Sequence, residues 1–110
     1  MKTIRVSVVE NSWVARLASR KLQIQQCAIV LGRTIFLHGL DKNALMQDQR
    51  LLRHEVCHVI QWQRMGYFYF LFCYLSWSIR NGYYQNPLEI EARQKEEDET
   101  ILKKVVILRK

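Results

Sequence analysis

His54-Glu55-Val56-Cys57-His58 is a stretch whose residue types and spacing suit chemistry. Two histidines four positions apart lie on one face of an α-helix, one turn apart. Both imidazoles can therefore reach one tetrahedral ion, and Zn²⁺ suits such ligands. Glu55 projects about 100° round the helix from His54. From there its carboxylate can reach a water on the metal without competing for the metal, which is where a hydrolytic general base belongs. His38 is the only other histidine, so the pair does not arise from a histidine-rich composition. Cys57 lies off the His54–His58 stripe and reads as a reduced, half-buried spectator.

Two histidines alone hold zinc weakly, and catalytic sites have three protein ligands and an open position. Asn86-Pro87-Leu88-Glu89-Ile90-Glu91-Ala92 offers the missing carboxylate from a separate helix. Its two glutamates point roughly 200° apart on a helix, so only one can face the metal. Glu89 is favoured because it lies near the face of Ala92, whose small side chain permits close packing against the motif helix. Glu89 also stands where a capping-box glutamate reaches back to Asn86; if it does so, Glu91 is the ligand. Tyr83, Tyr84 and His38 are candidates for the side chain that donates to a developing oxyanion, with Tyr84 preferred. Gln61 and Arg53 flank the histidines and read as their outer partners.

The elements that must position these groups are legible in outline. Residues 3 to 9 alternate apolar and polar, as a strand or extended arm does. Asn11 or Ser12 can cap a helix carrying Trp13, Val14, Leu17 and Leu22, with Arg16, Arg20 and Lys21 outward. Cys27–Leu31 and Thr34–Leu37 flank Gly32-Arg33, a hairpin pattern. Residues 41–47 read as a polar connection containing helix caps, and a helix from about Gln49 to Arg64 carries the motif until Gly66 stops it. Residues 65 to 79 contain no charge. As a helix they would be about 22 Å long, short of a ~30 Å hydrocarbon core, so a central buried helix is expected. The alternative is a helix that touches a membrane surface or a partner through its aromatic side. Asn86 caps a last helix with Pro87 at its first position. Residues 101–108 fit a late strand or a helix end equally. The acidic run Glu96 to Glu99 reads as a solvated face.

The 110 residues allow one domain with a modest core, and 49% apolar with 25% charged residues is an ordinary globular composition that excludes disorder. Three irregularly spaced cysteines make no disulfide framework, which points to a reduced, cytoplasmic setting. No apolar run marks the N-terminus as a signal peptide. The net charge is +7, and residues 1–40 hold six Lys/Arg against Glu10 alone. Such a basic arm could meet nucleic acid or an anionic membrane, although no nucleic-acid motif accompanies it and a solvated helix face is the plainer reading.

His54-Glu55-x-x-His58-x-x-Gln61, the aromatic helix and Asn86-Pro87-x-Glu89-x-Glu91-Ala92 together resemble the gluzincin metallopeptidases. Within that clan the chain is similar to minimal single-domain forms, the minigluzincins, and to small uncharacterised HExxH proteins, over about residues 25 to 95. The resemblance implies zinc held by His54, His58 and Glu89, with Glu55 as the base. Where related proteins place an aspartate after the ligand helix's alanine, this chain has Arg93. The fold so implied is α+β, a minimal zincin-like domain over residues 1–110. In it a small hairpin or sheet packs on the active-site helix, and two further helices follow. The expected function is hydrolysis of peptide bonds in a peptide or protein substrate, which Thr34–Leu37 would bind as an edge strand. The contrasting expectation is a non-catalytic zinc-binding or interaction module acting through the basic N-terminal region and the aromatic helix, with weak membrane contact.

Overall fold

A computed structural model describes residues 3–108 as an α+β domain. The chain order is β1 (Ile4–Val9), α1 (Trp13–Leu22), β2 (Cys27–Leu31), β3 (Thr34–His38), α2 (Lys42–Gln47), α3 (Gln49–Met65), α4 (Tyr67–Asn81), α5 (Pro87–Lys95) and β4 (Val105–Ile107). A 3₁₀ turn, Ile101–Lys104, precedes β4, so the late apolar segment is both a helical turn and a strand.

The strands form one mixed sheet in the order β2-β3-β1-β4. The hairpin pairs Leu31 with Thr34 and Cys27 with His38, closed by Gly32-Arg33. Gly32 sits at φ 65, in the left-handed region that favours glycine, and a Cβ there would lie 2.9 Å from Cζ of Tyr67. β1 runs parallel to β3 (Ser7 opposite Thr34) and parallel to β4 (Ile4 opposite Val105). This corrects the expected substrate-side edge. Because β1 seals the outer side of β3, Thr34–His38 is interior and the free edge of the hairpin is β2.

Alternation places Val6 and Val8 of β1 and Ile35 and Leu37 of β3 in the core, where they meet Leu52, Val56 and Val59 of α3. The indole Nε1 of Trp62 donates to the Val30 carbonyl at 3.1 Å, fastening the end of α3 to β2. Ser12 rather than Asn11 caps α1, its Oγ accepting from the amides of Val14 and Ala15. Residues 42–47, expected as a connection, are a helix: Asp41 caps it, and Leu45 anchors it fully buried. Asp48 then caps α3 through the Leu51 amide, and Gly66 at φ 86 ends it.

The aromatic helix also departs from expectation. α1 packs on β2 and β3, α3 packs on β2, and α4 packs on α3 without a substantial contact of its own to the sheet. Only Phe70 and Cys73 of α4 are buried, while Phe68 is 91% exposed and Ile79 85%. Among the described residues no helix is long and apolar enough to cross a membrane.

Candidate metal centre

The end of α1, β2, α3 and α4 enclose a cleft of about 610 Å³, and His54, Glu55, His58 and Glu89 all line it. The histidines project from the middle of α3, where Asp48 has fixed the start of the helix and Val56 and Val59 turn its opposite face to the core. Glu89 comes from the first turn of α5. Ala92, with no exposed surface, lets that helix lie close against α3, as its size predicted.

Asn86 settles which glutamate is free to enter. Its Oδ1 accepts from the Leu88 amide at 2.9 Å, capping α5. Its Nδ2 donates to the Tyr74 carbonyl at 3.0 Å and to Ser78 Oγ at 2.8 Å, which ties α5 to α4. Fully buried and fully engaged, Asn86 holds the helix start without a reciprocal cap from Glu89. Oε1 of Glu89 lies 3.0 Å from Nε2 of His54 and 3.1 Å from Nε2 of His58. Tyr74 donates its hydroxyl to the other oxygen, Oε2. Glu91 is turned elsewhere, accepting from Gln61 Nε2 at 2.8 Å and from Arg64 at 3.1 Å.

Both imidazoles are held from behind. Nδ1 of His58 faces Oε1 of the fully buried Gln61 at 2.8 Å, and Gln61 itself donates to the Leu88 carbonyl and to Glu91. Nδ1 of His54 meets Oε2 of Glu96 at 2.7 Å. Glu96 was read as part of a solvated acidic face; instead it turns inward and bridges His54 to Arg50. Seven residues, two helical turns, separate it from Glu89, so the two carboxylates share a face. Arg53 donates to the Glu96 backbone carbonyl at 2.9 Å and so steadies that carboxylate rather than a histidine.

Tyr84, the preferred oxyanion donor, does not reach the cleft. Its ring is exposed and the Arg93 guanidinium stacks over it at 3.9 Å, while Arg93 also donates to the Tyr84 carbonyl. Neighbouring side chains in the turn point apart, and Tyr83 is the one that lines the cleft. Cys57 is 3% exposed, and burial foremost pushes its thiol up to about 12, in keeping with a spectator.

The donor set fits a divalent ion of the zinc type. One atom each from His54, His58 and Glu89 lie within 4.8 Å of one another, and the set is the His₂Glu combination of catalytic zinc sites. Electrostatics prepares the cluster for a cation. Burial would raise the Glu89 carboxyl, but hydrogen bonds from both histidines and the His58 charge hold it well below the usual carboxylate range. Burial opposes charge on His54, yet Glu89, Glu55 and Glu96 together raise it to about 9. A metal ion held by these atoms would displace those protons. Burial above all raises Glu55 to about 7, with the histidine charges opposing.

The Glu96 carboxylate should matter through His54. Glu96→Gln is expected to weaken any metal ion's binding to the cluster about 10–100-fold, read by competition with a chromophoric chelator. Unchanged affinity would mean that Glu96 serves Arg50 alone.

An α+β domain in which two histidines of the motif helix meet a glutamate of α5 is thus the class that fold and site define. Residues 4–66 match the family model described as the eCIS core domain, and the chain belongs to that family. The match covers β1 through the end of α3, and so includes His54, Glu55 and His58 but not Glu89. No curated protein and no solved structure matches the chain.

Proposed function

We propose that the chain is a zinc-dependent metallopeptidase with Glu55 as its general base. The observation that carries this reading is positional. Glu89 Oε1 lies between the Nε2 atoms of the two histidines, whereas Glu55 borders the same cleft and takes no part in that cluster. The arrangement resembles the gluzincin metallopeptidases, in which two motif histidines and a glutamate from a following helix bind zinc.

His54, His58 and Glu89 would hold the zinc, whose Lewis acidity would activate a water and polarise a carbonyl. Glu55 accepts the proton of the attacking water and then delivers it to the leaving amine. Burial raises its carboxyl above the ordinary carboxylate range, the direction that a group able to take and return a proton near neutral pH requires. Tyr74 fixes the Glu89 carboxylate, and Gln61 and Glu96 fix the rings of His58 and His54. Tyr83 takes over from Tyr84 as the candidate hydroxyl for the carbonyl oxygen. β2, both sheet edge and cleft wall, is the strand against which an extended peptide can pair.

The test is metal content by inductively coupled plasma mass spectrometry, beside hydrolysis of a quenched-fluorescence peptide library. About one zinc per chain is expected, the number a single three-ligand site holds, with cleavage lost on chelation and restored by zinc. No zinc after reconstitution would sink the reading. Bound zinc without cleavage of any peptide would leave a metal-binding module in which Glu55 is idle.

A further inference from the structure

The exposed face of α4 is large, apolar and placed at the mouth of the cleft. Tyr67, Phe68, Leu71, Phe72, Leu75 and Ile79 are all exposed. At 100° per residue they sweep about 140° of the helix circumference, wider than the narrow seam that pairs with a single partner helix. Leu71 and Leu75 form one bank of the cleft; Leu22 and Ile24, from the end of α1 and the residues after it, stand on another and are about half exposed. Apolar tips on separate elements around one opening suit an extended apolar surface better than one docked helix.

Charge identifies the surface. α1 carries Arg16, Arg20 and Lys21, all exposed, and α4 ends on exposed Arg80; neither helix contains an acidic residue. The chain as a whole has a formal charge of +7. An aromatic and aliphatic helix face that ends on exposed Arg80 and carries no carboxylate, in a chain of net positive charge, is the composition of a helix lying in the interface of an anionic bilayer. Fifteen residues give α4 a length of about 22 Å, enough to lie in the interface and too short to span it.

We propose that this protein docks on anionic lipid bilayers through the outer face of α4, with Arg80 and the net positive charge of the chain drawing it to the headgroups. Docking needs neither the metal nor turnover.

The experiment is flotation of the full chain with vesicles of phosphatidylcholine alone and of phosphatidylcholine with one quarter phosphatidylserine. Flotation with the anionic vesicles only, weakening as salt is raised, is expected. Phe68→Ser combined with Phe72→Ser should lower partitioning about tenfold or more. Both side chains lie mostly in solvent, so the double variant should fold and melt as the unaltered protein does. His58→Ala should float unchanged, which separates this surface from the metal reading. Absence of flotation, or flotation equal in the Phe68/Phe72 variant, would overturn the proposal. A dimer in analytical ultracentrifugation that the same variant dissolves, without flotation, would assign the face to a second copy of the chain instead.

Discussion

The Glu55→Gln variant is expected to hold zinc at the unaltered stoichiometry and to lose peptide hydrolysis by about 10²–10⁴-fold, the range that general acid–base catalysis contributes. Glutamine preserves the size and shape of a side chain that is only 6% exposed, so the packing of α3 should survive. It removes the one property the mechanism uses, a carboxylate that can hold a proton and give it back. The metal should stay because the ligand cluster is His54, His58 and Glu89, without Glu55. Loss of zinc together with activity would mean that Glu55 supports the metal site rather than the proton transfer. Equal cleavage rates in both proteins would remove Glu55 from the chemistry altogether.

The residues that meet at the cluster were legible to different degrees, for physical reasons that can be named. His54 and His58 follow from helical spacing alone, since residues four apart must share a face. Glu89 was legible because Ala92, one turn on, marks the side of α5 that can approach another helix. Glu96 carries the same signal, two turns beyond Glu89, but stands at the head of a charged run where solvated side chains are the rule. Its burial depends on how α5 docks against α3 and on Arg50 and Arg53 reaching across to it. Tyr74 was hidden for the opposite reason. Between Arg64 and Arg80 nearly every side chain is apolar or aromatic, so no charged residue marks which way α4 turns. The rotation is set from outside that helix, by Asn86 gripping the Tyr74 carbonyl and Ser78.

Strand order shows the same division between local and distant information. The hairpin could be read from Gly32-Arg33 between two apolar runs, because its register is set by the turn itself. The parallel pairing of β1 with β3 joins Ser7 to Thr34 across the whole of α1 and β2. No turn chemistry encodes such a contact, and it decides whether β3 or β2 faces the cleft as an edge. Helix α2, six residues long, lacks the repeated apolar period that marks longer helices; Leu45 is its one buried residue, with Met46 packed partly against the core.

Of the ligand substitutions, Glu89→Ala and Glu91→Ala should separate most sharply. Glu89→Ala is expected to reduce zinc affinity by well over the roughly 10–100-fold that loss of an outer partner costs, leaving little metal after purification. Two histidines would remain, and neither alternative carboxylate is free to replace the third ligand: Glu96 is held between His54 and Arg50, and Glu91 between Gln61 and Arg64. The Tyr74 hydroxyl would also lose its buried acceptor, a further cost to the folded protein of about 1–3 kcal/mol. Glu91→Ala removes a half-buried carboxylate whose partners Gln61 and Arg64 keep other contacts or solvent. Zinc stoichiometry should be unchanged there, with affinity falling at most by the outer-partner factor through Gln61 and His58. Metal content and chelator competition on the two variants, side by side, give the reading. Retention in Glu89→Ala with loss in Glu91→Ala would exchange their roles, and would require α5 to turn so that the capping end of the helix points Glu89 back to Asn86.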